Sequence, residues 1–189
     1  MTEATENIPG INWSNLGWVI VIFVAMSLVI AYGEIWSLTF LHVFFGLLWT
    51  GIDLFMGFVL GPVMRQVTMS VRKAILLRML PRTLFILPTL AIVTGTTGYF
   101  LAQDMGYLDL DYPEFGWVAA ALVLLLILTV QGLGYLLPTN YRVYSELRND
   151  QPDIQRIGRL MRLYFWVVAS QGVMQIVMIV IMTKFGTGL

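Results

Sequence analysis

The chain has 189 residues, of which 58% are hydrophobic and only 12% are charged, and its formal net charge is zero. So large an apolar fraction indicates a polytopic membrane protein rather than a soluble domain. The chain has no cysteine, which excludes disulfides and thiolate metal sites.

Five apolar stretches have about 20 or more residues, the length that a helix needs to cross a bilayer. We therefore predict an all-α membrane protein with a single transmembrane domain over residues 1–189. The predicted helices cover about residues 13–32, 35–64, 82–103, 117–137 and 163–185. Helices 2 to 5 are expected to form a four-helix bundle over about residues 35–187, with helix 1 at its periphery.

The positive charges predict how the chain is oriented. All Lys and Arg residues except Lys184 lie in the connections 65–82 and 139–162, whereas the connection 104–114 has four acidic residues and no cation. By the positive-inside rule, the two basic connections and the N-terminus are cytoplasmic, and the acidic connection and the C-terminus are external. The expected location is the plasma membrane. We attribute the basic runs to this orientation and not to binding of nucleic acid.

Two features concern the basic connections. Residues 71–80 have apolar residues at helical spacing beside their cations, which predicts an interfacial helix that Pro81 ends. Residues 141–150 are expected to extend helix 4.

The segments 57–65 and 134–142 are similar in spacing, which suggests that helices 2–3 and 4–5 are two parallel-repeat hairpins. When the two segments are aligned, Ala119 corresponds to His42, so the second hairpin lacks a matching histidine.

Helix 2 carries the chain's only histidine, His42, and the only acidic residue inside a long apolar segment, Asp53. With successive residues about 100° apart, Gly46, Trp49 and Asp53 lie within roughly 40° of His42. Ionisable groups at membrane depth are costly, so they usually face a bundle interior, a cavity or a partner. This face of helix 2 is therefore the predicted functional site.

Each of the two ionisable residues has a functional and a structural interpretation. His42 could ligate haem iron or copper, or hydrogen-bond to a neighbouring helix. Asp53 lies about 16 Å from His42 along the helix axis, which is too far for contact. Asp53 is the candidate catalytic residue, as a proton relay or a cation ligand; alternatively, it is a buried carboxyl group bonded to Thr or Gln on helix 3 or 4.

Helix 5 presents three methionines, Met174, Met178 and Met182, along one face. Thioethers suit Cu(I) and can be axial haem ligands, although methionines at this spacing also serve packing. Met182 is closest in depth to His42. Lys184 is the one cation on the external side, so it is the candidate partner of a haem propionate.

The segment from His42 through Trp49 to Gly51 resembles the first core helix of a membrane superfamily. The superfamily includes the copper-resistance protein CopD, the HemJ-type protoporphyrinogen oxidases and the membrane domain of cytochrome-type urate oxidase. Further similarity lies in 61–62, in Pro88 followed by 94–95, and in 138–140. The resemblance covers about residues 36–180.

This resemblance implies a four-helix core and, for the HemJ branch, haem b held by the histidine of the first core helix. His42 would inherit that role, with Trp49 beside the cofactor. The HemJ branch also uses a lysine on the helix corresponding to helix 4, where this chain has alanines at 119–121. The urate-oxidase branch has a cytochrome domain, and this sequence contains no CxxCH motif. Neither enzyme activity is therefore expected.

The sequence predicts a haem-b-binding redox or electron-transfer protein, either acting alone or as a subunit of a larger respiratory-type complex. Two alternatives stay open: a copper-handling permease that uses His42 and the methionines, and a non-catalytic accessory subunit. Whether the protein is an enzyme is left open. The expected partners are the bilayer and either other membrane subunits or a second copy of the chain, whose His42 could then share a haem.

Overall fold

The computed structural model describes residues 10–149 and 151–188 and contains no strand within them. Five helices are long and apolar enough to cross a membrane: α1 (Asn15–Tyr32), α2 (Ile35–Gln66), α3 (Met69–Asp104), α4 (Phe115–Leu147) and α5 (Ile154–Gly186). A single 3₁₀ turn, Tyr107–Asp109, lies between α3 and α4. The predicted fold class, all-α with five membrane-spanning helices, is confirmed.

The last four helices pack as a ring in which α2 contacts α3, α3 contacts α4, α4 contacts α5 and α5 contacts α2. This order is the one that two hairpins related by a twofold axis would give. Helix α1 lies against α3 and α2 on the outside of the ring. A core cluster between α2, α3 and α4 includes Phe45, Trp49, Val93 and Leu128, so the predicted site face of α2 points into the bundle.

Helix α3 is continuous through Pro81 and Pro88, so the prediction that Pro81 ends a separate interfacial helix is wrong. Leu76, Leu77 and Leu80 are buried in a second core cluster with α4 and α5, and this packing holds the basic segment in line with the rest of α3. Proline is tolerated inside membrane helices because neighbouring groups satisfy the freed backbone. The local sequence signal therefore yields to tertiary packing.

Helices α2 and α4 share an irregularity in the two segments that resemble each other in sequence. A π-helical turn at Met56–Leu60 precedes Pro62, and another at Val130–Leu136 precedes Pro138. A proline ring clashes with the carbonyl four residues earlier, and a wider turn relieves that clash. The two segments thus share a backbone feature as well as their spacing.

Helices α4 and α5 both continue beyond the ends of their apolar stretches. Helix α4 runs on to Leu147, as predicted. Helix α5 begins at Ile154, well before the predicted 163, because Asp153 caps it: the Asp153 carboxylate accepts from the Arg156 backbone N–H at 2.9 Å. Arg156 also pairs with Glu146 of α4 at 3.3 Å. Hydropathy detects only the apolar part of a helix that continues into the polar region.

Candidate functional site

The imidazole of His42 is held between α2 and α3. Its Nδ1 lies 3.0 Å from the backbone carbonyl oxygen of Thr94. A carbonyl oxygen can only accept, so Nδ1 carries the hydrogen and donates it. In the neutral ring this leaves the lone pair on Nε2. Metal-ligating histidines are commonly oriented by such a bond from the second ring nitrogen to a carbonyl.

The close approach of His42 to α3 depends on Gly98. A Cβ atom at residue 98 would lie 2.6 Å from His42 Cε1 and 2.8 Å from Nδ1, distances that are not tolerated. A Cβ at Gly95, one turn earlier on α3, would meet only a methyl group of Leu125 at 3.3 Å. The absence of a side chain at Gly98 therefore admits the imidazole ring beside α3.

His42 lines a cavity of about 500 Å³ between α2, α3, α4 and α5. Trp49, Met178 and Met182 are also on its wall. The structure therefore brings together four of the residues singled out in the sequence. Within the described residues, no three His, Cys, Asp or Glu side chains form a group that could hold a metal ion, so any metal here would rely on His42 and the thioethers.

Two other candidate residues lie apart from this cavity. Met174 packs against the apolar cluster around Phe45 and Leu128 and does not line the cavity. The ammonium group of Lys184 lies 3.4 Å from the Gly188 carbonyl oxygen, and Lys184 is not among the cavity-lining residues. Tyr107 and Thr183 line the cavity, and their hydroxyl groups donate to the carbonyl oxygens of Phe185 at 3.5 Å and Ile179 at 2.8 Å.

Asp53 is buried, with 8% of its surface exposed, as expected. Its Oδ2 accepts a hydrogen bond from Gln175 Nε2 of α5 at 2.9 Å. The expected partner was a Thr or Gln on helix 3 or 4, and that expectation is wrong. The sequence does not show which helices lie beside α2, and the ring places α5 there. The Trp49 indole, one turn earlier on α2, is a second polar neighbour of the carboxyl group.

A second cavity, of about 200 Å³, lies toward the basic end of the bundle. Asp53 and Trp49 line its inner end, and Arg65, Arg72 and Lys73 line its outer end. Arg72 is tied to the end of α2, because its Nε donates to the Met64 carbonyl oxygen at 2.7 Å. Asp53 thus faces a space that reaches the basic end, while His42 faces a space that reaches the acidic end.

No protein-family model, curated protein or solved structure matches this chain.

Sequence reasoning missed two further polar residues near Asp53. Asn140 of α4 and Tyr164 of α5 line the smaller cavity, and the Asn140 side chain is hydrogen-bonded to the Tyr164 hydroxyl group. Both lie in or beside the basic connection 139–162, where polar residues are expected at the surface. Their burial could not be foreseen because it depends on α4 and α5 continuing into that region.

Proposed function

We propose that this membrane protein binds haem b in the 500 Å³ cavity, with His42 Nε2 as an axial ligand, and transfers electrons. The observation that carries the proposal is the bond from His42 Nδ1 to the Thr94 carbonyl oxygen, which orients the ring and leaves Nε2 as the free nitrogen. The HemJ-type resemblance supports the same role for His42. A bound haem would supply one-electron chemistry at its iron.

The size of the cavity favours haem over a single metal ion. Sites for cofactors and drug-sized ligands commonly have volumes of about 300–1,000 Å³, and this cavity has about 500 Å³. Met182 or Met178 on the same wall would hold the iron together with His42, because histidine–methionine ligation is a known haem arrangement. Trp49 would provide an apolar surface beside the cofactor.

The polar edge of a haem needs hydrogen-bond donors for its propionates. Tyr107 and Thr183 are on the cavity wall, and Lys184 follows Thr183 directly in the chain. The predicted role of Lys184 requires its ammonium group to leave the Gly188 carbonyl oxygen and turn toward the cavity. The hydroxyl groups of Tyr107 and Thr183 would have to release the carbonyl oxygens of Phe185 and Ile179.

Copper handling is the second candidate, and the convergence of His42, Met178 and Met182 on one cavity favours it. One imidazole and two thioethers form a soft ligand set suited to Cu(I). A third possibility, an accessory subunit with no cofactor, would leave the cavity to lipid or to a partner helix.

The test of the proposal is the spectrum of the purified protein. After expression with added haem precursor, we expect a haem b signature in the pyridine haemochrome assay and in the reduced-minus-oxidised difference spectrum. Metal analysis of the same sample measures copper. A well-folded protein without a haem band would refute the haem proposal, and bound copper in that sample would then establish the second candidate.

We also propose the orientation given by the positive-inside rule, in the plasma membrane. A reporter that is active only in the cytoplasm should be active when fused after Arg72 or Arg148. The same reporter should be silent when fused after Asp109 or Leu189. Because the cations cluster at residues 65–82 and 139–162, the reverse pattern would contradict the rule for this chain and overturn the orientation.

A further inference from the structure

We infer that Asp53 and Gln175 form a proton-transfer gate between the two cavities of the bundle. This inference concerns the centre of the ring and does not require haem to be bound. It rests on the position of the pair, on one unpaired polar atom and on the polar groups that line each cavity.

The pair joins the wall of one cavity to the wall of the other. Asp53 lines the 200 Å³ cavity, which extends to Arg65, and Gln175 lines the 500 Å³ cavity, which extends to Tyr107 at the other end of the bundle. Trp49 lines both cavities. The hydrogen bond between Gln175 Nε2 and Asp53 Oδ2 therefore bridges a space reached from one end and a space reached from the other.

The unpaired amide oxygen of Gln175 indicates that a proton or a water molecule is exchanged at this position. Gln175 is 97% buried, and its Oε1 has no hydrogen-bond partner among the residues that the structure describes. A buried polar atom left unpaired costs about 1–3 kcal/mol, so it needs an explanation. Gln175 is on the wall of the larger cavity, but Oε1 itself has essentially no accessible surface, so water of that cavity reaches it only when the Gln175 side chain moves.

The chemistry of the pair allows a proton to be held in either state. When Asp53 is ionised, Gln175 Nε2 donates to the carboxylate. When Asp53 is protonated, the amide can turn by 180°, and Oε1 can accept from the carboxylic acid O–H. Displacement of the Gln175 side chain would let water of the larger cavity deliver one proton to Asp53. Release of that proton to water of the smaller cavity restores the carboxylate, so one proton enters and one leaves.

Both cavities can hold the water that this transfer requires. A water molecule occupies roughly 30 Å³ in the liquid, well below either cavity volume, and needs two to four polar partners. Thr83, Asn140, Tyr164 and Gln171 provide polar groups in the smaller cavity.

The charged and titratable groups on the walls identify Asp53 as the carrier. Tyr164 of α5, Arg65 of α2, and Arg72 and Lys73 of α3 line the same cavity as Asp53. None of these four is a carboxyl group, so Asp53 is the one acidic side chain on that wall.

A metal cation fits the pair less well than a proton does. In the structure Gln175 directs its N–H group toward the Asp53 carboxylate. Even with the amide turned, Gln175 would add one oxygen to the two of Asp53, fewer than the about six ligands that a divalent cation takes. The pair therefore favours proton transfer, and a sodium-dependent flux would contradict it.

The experiment measures proton uptake by liposomes that contain the purified protein and a pH-sensitive dye, under a potassium diffusion potential set with valinomycin. Wild-type protein should acidify the lumen at least tenfold faster than empty liposomes do. Asp53→Asn should reduce the rate to that of empty liposomes, because asparagine keeps the shape and the acceptor for Gln175 but cannot take up a proton.

Two glutamine variants provide a matched comparison. Gln175→Leu should lower the rate severalfold or more, whereas Gln131→Leu should leave it unchanged. Gln131 is also an intramembrane glutamine with an unpaired Oε1, but it lines neither cavity. Size-exclusion profiles and thermal unfolding show whether each variant is folded.

Three results would overturn the inference. These are a wild-type rate equal to that of empty liposomes, a rate for Asp53→Asn equal to that of the wild type, and proton uptake that requires sodium in addition to the potassium diffusion potential.

Discussion

Replacing His42 with alanine is expected to abolish haem b binding while the protein still folds. The imidazole is the chain's only histidine side chain, so no other residue can supply a nitrogen ligand of this kind. The free energy of unfolding should fall only modestly, because one hydrogen bond to a carbonyl oxygen contributes about 0.5–1.5 kcal/mol. The measurement is haem content per protein by the pyridine haemochrome assay, with thermal unfolding measured on the same sample.

A chemical rescue separates a missing ligand from a damaged fold. The alanine variant leaves a space the size of the lost ring next to the Thr94 carbonyl oxygen, so added imidazole should restore part of the haem signal. Met174→Ala is the matched control: this methionine is on the same helix face as Met178 and Met182 but does not line the cavity, and its haem content should equal that of the wild type. Unchanged haem in the His42→Ala variant would show that haem is held elsewhere.

The sequence predicted the number and approximate positions of the helices, because the length and apolarity of a span depend on local composition alone. It also placed His42, Trp49 and Asp53 on one face, since helical periodicity is local as well. All three prove to face the two cavities inside the ring. Burial of Asp53 followed from the cost of an ionisable group in lipid.

Contacts between helices could not be predicted in the same way. The sequence does not give the order of the ring, and therefore Asp53 was expected to bond to helix 3 or 4 and not to Gln175 of α5. The same limit applies to Met174 and Lys184, which share a helix with Met182 but do not reach the cavity wall. Pro81 gave a clear local signal for a helix end that the buried leucines of the basic segment override.

The two proposals concern different depths of the bundle. His42 and its cavity lie toward the acidic end, and Asp53 lies about three helical turns further along α2. Electron transfer at haem and proton transfer at Asp53 are separable by these variants: His42→Ala should remove haem, and Asp53→Asn should remove proton uptake. If both functions are present, their joint location in one ring would allow a redox change to be accompanied by proton movement.

Gly98→Ala is expected to reduce haem binding strongly although it adds only one methyl group. The new Cβ would lie 2.6 Å from His42 Cε1, so the imidazole must move or α2 and α3 must separate. Overpacking of this kind costs about 1–3 kcal/mol. If the whole of this cost weakens the binding of haem iron by His42, haem affinity falls roughly 5- to 150-fold. Haem titration of the purified variant, followed by absorbance, measures the change.

Gly95→Ala is the matched control for this effect, since it makes the same substitution one turn earlier on α3. Its Cβ would meet only the Leu125 methyl group at 3.3 Å, and the end of a leucine side chain can shift by a few tenths of an ångström. We therefore expect wild-type haem affinity for Gly95→Ala. Equal affinity in both variants would show that the contact between Gly98 and His42 does not control the ligand. Equal losses of affinity in both variants would assign the glycines to helix packing, because the gain in helix propensity from glycine to alanine, about 1 kcal/mol, is the same at either position.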